Sequence, residues 1–154
     1  MSNATFTPSV HYEFPKAALL WLENAFGFEI TMAIDGPEDQ PEMCHYEMSC
    51  AGSGTVMIGG EWNDTVHSPS RNDGINTQSV HVQLNSSVDE HFEHAQAAGA
   101  TIVMEPTDQF YGDRTYRAVD PEGHQWVFSQ KVRDVSRAEA EAALGQKIVA
   151  TDWQ

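Results

Sequence analysis

The sequence contains few basic residues. Lysine and arginine together number 8, against 23 aspartate and glutamate residues, so the formal net charge at pH 7 is −15. A field of this sign repels the phosphates of nucleic acids and anionic lipid headgroups. The composition therefore predicts neither nucleic acid nor a membrane surface as a partner, and the excess negative charge mainly favours solubility.

Long apolar runs are also missing. None approaches the roughly 18 residues that a membrane-spanning helix needs, and the first residues lack the pattern of a secretion signal. The two cysteines, Cys44 and Cys50, stand in one predicted strand. A rise of about 3.3 Å per residue separates them there by about 20 Å, which prevents a disulfide. We therefore expect reduced thiols and a cytoplasmic protein.

Motifs of nucleophilic catalysis are absent as well. The sequence contains no G-x-S-x-G turn and no glycine-rich phosphate loop. The histidines of EHFEH, residues 90–94, lack the H-E-x-x-H spacing of a zinc-binding helix, and we expect His94 to be solvated. Acid–base chemistry by His11, His81 or Glu13 remains open.

What the sequence does contain is an internal repeat. The stretch SVHYEF at residues 9–14 recurs as SVHVQL at residues 79–84. Both stretches alternate apolar and polar side chains with the period of a half-buried strand. Each leads into an amphipathic helical segment that is followed by β-rich sequence. Since 40% of the residues are hydrophobic, such a repeat has enough apolar side chains to form a core.

The two predicted helices have recognisable ends. The first opens at Pro15, which suits an initial turn, and stops at Gly27. The second opens with an S-x-x-E capping box at residues 87–90 and stops at Gly99. The apolar stripe of the first helix is formed by Leu19, Leu22 and Phe26.

Three strands follow each helix, which completes an α+β fold. We predict them near residues 28–34, 43–50, 55–60, 101–105, 115–120 and 125–130, with DPEG at residues 120–123 as a hairpin turn. We therefore expect two tandem βαβββ units, residues 7–61 and 78–131, that form a cupped mixed sheet with helices on its outer face. These units and the linker 62–77 make one domain, residues 1–131, and residues 132–154 add a C-terminal helix and tail.

This arrangement resembles the vicinal oxygen chelate superfamily, which includes glyoxalase I, bleomycin-resistance proteins and extradiol dioxygenases. The resemblance covers roughly residues 7–131, and its most specific parts are DPEGHQW at residues 120–126 and YGDR at residues 111–114. It is similar to a bacterial glyoxalase-like branch. One fold hosts many activities, so the resemblance implies the fold more strongly than the chemistry.

The resemblance also implies a ligand set for the metal-dependent members. They place a histidine or another ligand on the first strand of each unit and a glutamate on the last. In this sequence the first-strand positions are His11 and His81. The last-strand position lies four residues after the turn glycine, which gives Ile58 after Gly54 and Val127 after Gly123. Because both carboxylates are missing, we expect no metal cofactor. If a metal binds, we expect His11 and His81 to hold it, with the oxygen ligand supplied from a different position by Glu13, Glu47 or Glu61.

The remaining candidates follow from strand periodicity. Side chains two apart share a face, so His11 and His81 should share theirs with Glu13 and Gln83. Trp126 and Phe128 alternate with Gln125, Val127 and Ser129 along the last strand. Their side chains should therefore point to the other face of the sheet, where the helices pack. The histidines either bind a ligand or form structural hydrogen bonds between the units, and Arg114 either ties down its loop or, like Arg117, meets an anionic ligand. The predicted ligand-binding residues are His11, Glu13, Ile58, His81, Gln83, Arg114, Gln125, Val127 and Ser129.

Two functions remain open. The first is a small-molecule binder of the bleomycin-resistance type, with a largely apolar cup and polar His, Glu and Gln anchors. The alternative is a metal-dependent lyase, isomerase or dioxygenase with a rearranged His and Glu site. An open cup and an apolar C-terminal tail also predict a homodimer.

Overall fold

The structure, a computed structural model, describes residues 5–153. Its helices are α1 (Pro15–Phe26), α2 (Val88–Ala97) and α3 (Arg137–Leu144), and Pro69–Arg71 forms a single 3-10 turn. Its strands are β1 (Ser9–Tyr12), β2 (Glu29–Ile34), β3 (His45–Cys50), β4 (Ser53–Gly60), β5 (Ser79–Gln83), β6 (Thr101–Asp108), β7 (Asp113–Val119) and β8 (Gln125–Lys131). Within these residues no helix is long and apolar enough to cross a membrane.

The predicted α+β fold of two βαβββ units is confirmed. The first unit forms a sheet of order β1-β4-β3-β2 and the second a sheet of order β5-β8-β7-β6. Strand β1 pairs in parallel with β4, and β5 pairs in parallel with β8. All other neighbouring strands pair antiparallel. The mixed sheet expected from the repeat is thus divided in two, because no strand pair joins the sheets within the described chain.

The helices begin and end where their sequences predict. Gly27 closes α1 with φ of 68°, a left-handed conformation that favours glycine. The Ser87 hydroxyl accepts a hydrogen bond from the Glu90 backbone N–H at the start of α2. At α3, Ser136 and Glu139 form a complete capping box.

A hydrophobic core shared by both units lies on the helix side of the sheets. Phe26, at the end of α1, contacts the Phe128 ring with centroids 4.7 Å apart. Phe28 contacts Trp126 with centroids 5.3 Å apart. Both Trp126 and Phe128 are fully buried. Their contacts with Phe26 and Phe28 place both side chains on the predicted helix side, and these aromatic contacts pack the second unit against the first.

Two histidines of α2 add polar contacts to this junction. The Nε2–H of His91 donates to the carbonyl of Phe26 at 2.9 Å, and the Tyr116 hydroxyl donates to His91 Nδ1 at 2.7 Å. The Nε2–H of His94 donates to the carbonyl of Asn24 at 2.7 Å. The histidines thus satisfy carbonyls in the last turn of α1, which have no partner inside the helix. His94 is exposed, as expected, but it is hydrogen-bonded to the other unit.

Candidate ligand-binding site

The strand registers place His11 and His81 at equivalent points of the repeat. His11 on β1 lies opposite Gly59 on β4, and His81 on β5 lies opposite Val127 on β8. Val10 and Tyr12, which flank His11, are buried in the core, and Val80 and Val82, which flank His81, are partly buried against it. Because successive strand residues point to opposite faces, both histidines lie on the faces that the helices leave open.

Ile58 does not lie on this face. It is the register partner of Val10 and is fully buried in the core. The residue that corresponds to Val127 is Gly59, so counting from the turn glycine was wrong by one position. The β3–β4 hairpin is shorter than the β7–β8 hairpin, because it pairs Cys50 with Ser53 after a register shift. A difference of one residue in register turns a side chain to the opposite face of the sheet.

Gly59 leaves space for the His11 ring. A Cβ at this position would lie 3.2 Å from His11 Nδ1. His11 Nδ1 lies 3.2 Å from the carbonyl of Gly60, to which it donates, and Ser9 Oγ lies 3.2 Å from Nε2. Both ring nitrogens are therefore engaged within the first unit.

A cavity, here called the first cavity, lies between β5 and the β3–β4 hairpin. Its volume is about 470 Å³. The predicted anchors His81 and Gln83 line it together with Asn85. Its apolar wall includes Phe28, Met48, Val56, Val80, Val82 and Trp126. This volume and this mixture of residues are typical of a small-molecule pocket.

The second cavity, of about 410 Å³, lies between α1 and the β7–β8 hairpin. Glu13 lines this cavity, whereas His81 and Gln83 line the first. His11 lines neither of the two. The predicted cup, with His, Glu and Gln anchors from both units around one ligand, is therefore wrong in its geometry, because the end of β1 and the end of β5 face different hairpins.

The other predicted site residues lie outside the two cavities. Gln125 is exposed on the open face, and Val127 beside it is buried. Ser129 is fully buried and donates its hydroxyl proton to Asp113 Oδ2 at 2.6 Å. These three residues share the face of His81, as the alternation predicted, but the Ser129 hydroxyl already has a partner.

Arg114 is held by carboxylates of its own unit. Its Nε lies 2.6 Å from Asp108 Oδ1, and its Nη1 lies 2.9 Å from Asp89 Oδ2. These hydrogen bonds raise the pKa of Arg114 further above its usual value, and the guanidinium lowers the pKa of Asp108. The structure thus favours the alternative in which Arg114 ties down its loop. Arg117 is exposed on β7 and forms no ion pair within the described residues.

The DPEGHQW motif forms the predicted hairpin turn and also makes contacts with the first unit that the sequence did not predict. Asp120 is buried and accepts hydrogen bonds from the Tyr12 hydroxyl at 2.6 Å and from Trp126 Nε1 at 3.1 Å. His124 Nε2 donates to the carbonyl of His11 at 2.5 Å. Glu122 accepts from the backbone N–H groups of residues 13 and 14. This hairpin therefore clamps the second unit onto β1.

The described residues do not fit the metal site of the metal-dependent relatives. No three His, Cys, Asp or Glu side chains in residues 5–153 are arranged to share a metal ion. Gly59 and Val127, opposite the two histidines, offer no oxygen ligand. Glu47 and Glu61, the displaced carboxylates considered above, instead face His45 and Arg71 at 3.0 and 3.2 Å.

A sequence profile described as the Glyoxalase/Bleomycin resistance protein/Dioxygenase superfamily matches residues 14–128. The match covers most of the chain, and the chain belongs to this superfamily. The two-unit fold and the hairpin clamp described above are thus features of a superfamily member.

Individual relatives are similar over different lengths. An uncharacterized protein of Mycobacterium bovis is 39% identical over 69 residues, which are 45% of this chain and 45% of that protein. The match therefore spans less than half of that relative. Another uncharacterized protein, of Mycobacterium tuberculosis H37Rv, is 39% identical over 69 residues, 45% of this chain and 40% of its own length.

Solved structures share the fold over most of this chain. TioX from Micromonospora sp. ML1 is 29% identical with a TM-score of 0.63, and the match covers 84% of this chain and 100% of TioX. TnmS3, an antibiotic binding protein from Streptomyces sp. CB03234, is 16% identical with a TM-score of 0.64, over 85% of this chain and 99% of TnmS3. At that identity the likeness to TnmS3 concerns the fold alone.

Proposed function

We propose that this protein binds a small, largely apolar or aromatic molecule without covalent chemistry, in the first cavity. The observation that carries the proposal is the cavity of about 470 Å³ with an apolar wall and two polar anchors on β5. Ligand pockets typically measure roughly 300–1,000 Å³ and combine apolar walls with a few polar groups. The antibiotic binding protein TnmS3 gives a precedent on the same fold.

The anchors are available to a ligand. Neither His81 nor Gln83 forms a side-chain hydrogen bond within residues 5–153. A glutamine amide can both donate and accept, and an imidazole can do the same. Two or three such bonds would orient a bound molecule, while the apolar wall would supply most of the affinity.

The first cavity favours a neutral ligand. Its lining contains no Lys, Arg, Asp or Glu. A charged molecule would lose hydration on entry without gaining an ion pair. The ligand class is therefore a neutral aromatic or aliphatic molecule with a few hydrogen-bonding groups.

A titration with the neutral fluorophore N-phenyl-1-naphthylamine tests this function. We expect saturable fluorescence enhancement at one site per chain. Thr55→Trp should abolish it, because Thr55 lines the first cavity and a larger side chain would fill the space. Thr31→Trp is the matched control, since Thr31 is an exposed strand residue that lines neither cavity. Unsaturable fluorescence, or equal binding by the two variants, would refute the proposal.

We also propose a cytoplasmic homodimer. Phe6, at the edge of the first cavity, and Val149, in the C-terminal tail, are 88% and 89% exposed, and a second subunit would cover such apolar surface. The two cysteines are free, which suits a reducing compartment.

A further inference from the structure

The second cavity combines apolar side chains, mostly of α1, with several acidic ones. Its walls come from α1 and from the end of β1, and the β7–β8 hairpin closes it. Trp21 is half-buried and packs edge-on against Phe26, with ring centroids 5.0 Å apart, so the orientation of its ring is constrained. The apolar side chains of the walls are Phe14, Ala17, Ala18, Trp21 and Leu22.

Three carboxylates line the same cavity, and two of them are already engaged. Asp120 accepts from the Tyr12 hydroxyl and from the Trp126 indole. Glu122 accepts from two backbone N–H groups at 2.6 and 3.0 Å and from the Ser68 hydroxyl at 2.7 Å. Glu13 has only a long contact, 3.4 Å, from the Ser70 hydroxyl. The Glu13 carboxylate is therefore the one lining acid that is available to a ligand.

No basic side chain of the described residues neutralises Glu13. The lining contains neither Lys nor Arg. The nearby Lys16 pairs with Asp35 at 2.7 Å, and Arg71 pairs with Glu61 at 3.2 Å. In a chain of net charge −15, an unpaired carboxylate beside an aromatic wall attracts cations.

The internal repeat provides an independent comparison. Glu13 lies two residues after His11, and Gln83 lies two residues after His81. Gln83 lines the first cavity beside the β3–β4 hairpin, and Glu13, just after β1, lines the second beside the β7–β8 hairpin. The two side chains have nearly the same shape and differ in charge. The cavities themselves differ, because α1 lines the second and no residue of α2 lines the first, but equivalent positions of the repeat place a neutral amide in one and a carboxylate in the other.

We infer that the second cavity is a binding site for an amphiphilic organic cation, an amine with an aromatic or alkyl body. The ammonium group pairs with Glu13 at the mouth, and the body packs against Trp21 and Leu22. A cation near an indole face also gains from the negative charge of the ring. This site is distinct from the first cavity and does not depend on the function proposed for it.

Calorimetric titration with two probes of equal shape tests the inference. We expect 2-phenylethylamine to bind roughly tenfold more tightly than neutral 2-phenylethanol. Glu13→Gln should remove most of this difference and leave the affinity for the alcohol unchanged. The control Glu93→Gln removes the same charge from an exposed position of α2, outside both cavities, and should preserve the difference.

The position of the amine is read from the indole N–H signal of Trp21, assigned with Trp21→Phe. The signal should shift with the amine in the unmodified protein and not in Glu13→Gln. Equal affinity for the two probes, no detectable heat with either, or an equal effect of Glu13→Gln and Glu93→Gln would overturn the inference. The neutral fluorophore of the first cavity should bind Glu13→Gln normally, so failure at one cavity is distinguishable from failure at the other.

Discussion

The hydroxyl of Tyr12 donates a 2.6 Å hydrogen bond to the buried carboxylate of Asp120, 108 residues further along the chain. Tyr12 ends the first strand of one unit, and Asp120 begins the hairpin of the other. Burial raises the pKa of Tyr12 well above its usual value, and the charge of Asp120 raises it further. The phenol therefore remains a donor throughout the physiological pH range, and the bond holds the two units together.

Loss of this bond should destabilise the protein. Tyr12→Phe removes a donor from a buried carboxylate, and hydrogen bonds to charged groups contribute about 1.5–3 kcal/mol. We expect a decrease of this size in the free energy of unfolding in urea. Tyr111→Phe is the matched control, because Tyr111 is 37% exposed and makes no side-chain hydrogen bond within the described residues. Equal stability of the two variants would contradict the clamp.

His91 should make stability depend on pH. Burial lowers the pKa of His91 from the usual value of 6.5, because an enclosed ring is disfavoured in its charged form, and the nearby His94 lowers it further. A lowered folded-state pKa means that the unfolded chain binds the proton more readily. The contribution of His91 is therefore complete above the unfolded-state pKa near 6.5 and is lost as the pH falls through the lower folded-state pKa.

Unfolding in urea at pH 7.5 and pH 5 measures this effect. We expect His91→Ala to lose stability at pH 7.5 and to show a weaker decline towards pH 5 than the unmodified protein. His81→Ala is the control, since His81 is exposed and forms no hydrogen bond in the described chain. An unchanged decline in His91→Ala would show that other groups cause it.

The corrected position of Ile58 can be tested by truncation. Ile58→Ala should cost about 2–5 kcal/mol of stability, the range for deletion of a fully buried aliphatic side chain. Met57→Ala, on the opposite and half-buried face, should cost clearly less. Similar losses of stability in the two variants would indicate that Ile58 lies on the open face after all.

The homodimer is tested by light scattering. The chain has a mass of 17.1 kDa, so a dimer should scatter as a particle of about twice that mass. A mass near that of one chain at micromolar concentration would exclude the dimer.

The sequence predicted the elements better than the contacts between them. Pro15, Gly27 and the alternating stretch at residues 9–14 act locally, so their effects could be read from neighbouring residues. The face of Ile58 depended on the number of residues in a hairpin and on a register shift, neither of which follows from the pattern of one strand.

The site was harder to predict for a related reason. The repeat correctly made His11 and His81 equivalent, but equivalence within a repeat does not place two residues side by side. Their surroundings depend on how one unit docks on the other. The hydrogen bond between Tyr12 and Asp120 joins residues 108 positions apart, and the one between His91 and Phe26 joins residues 65 positions apart. No local sequence pattern indicates such pairs.

Non-covalent binding in the first cavity is tested most directly by isotope-filtered NOE spectroscopy of labelled protein with unlabelled N-phenyl-1-naphthylamine. Val56 and Val82 line this cavity, whereas Val103 is 60% exposed on β6 and lines neither cavity. We predict NOEs from the aromatic protons of the probe to the methyl groups of Val56 and Val82 and none to Val103. NOEs confined to Val103, or the absence of any methyl contact at saturating probe, would contradict the proposed function.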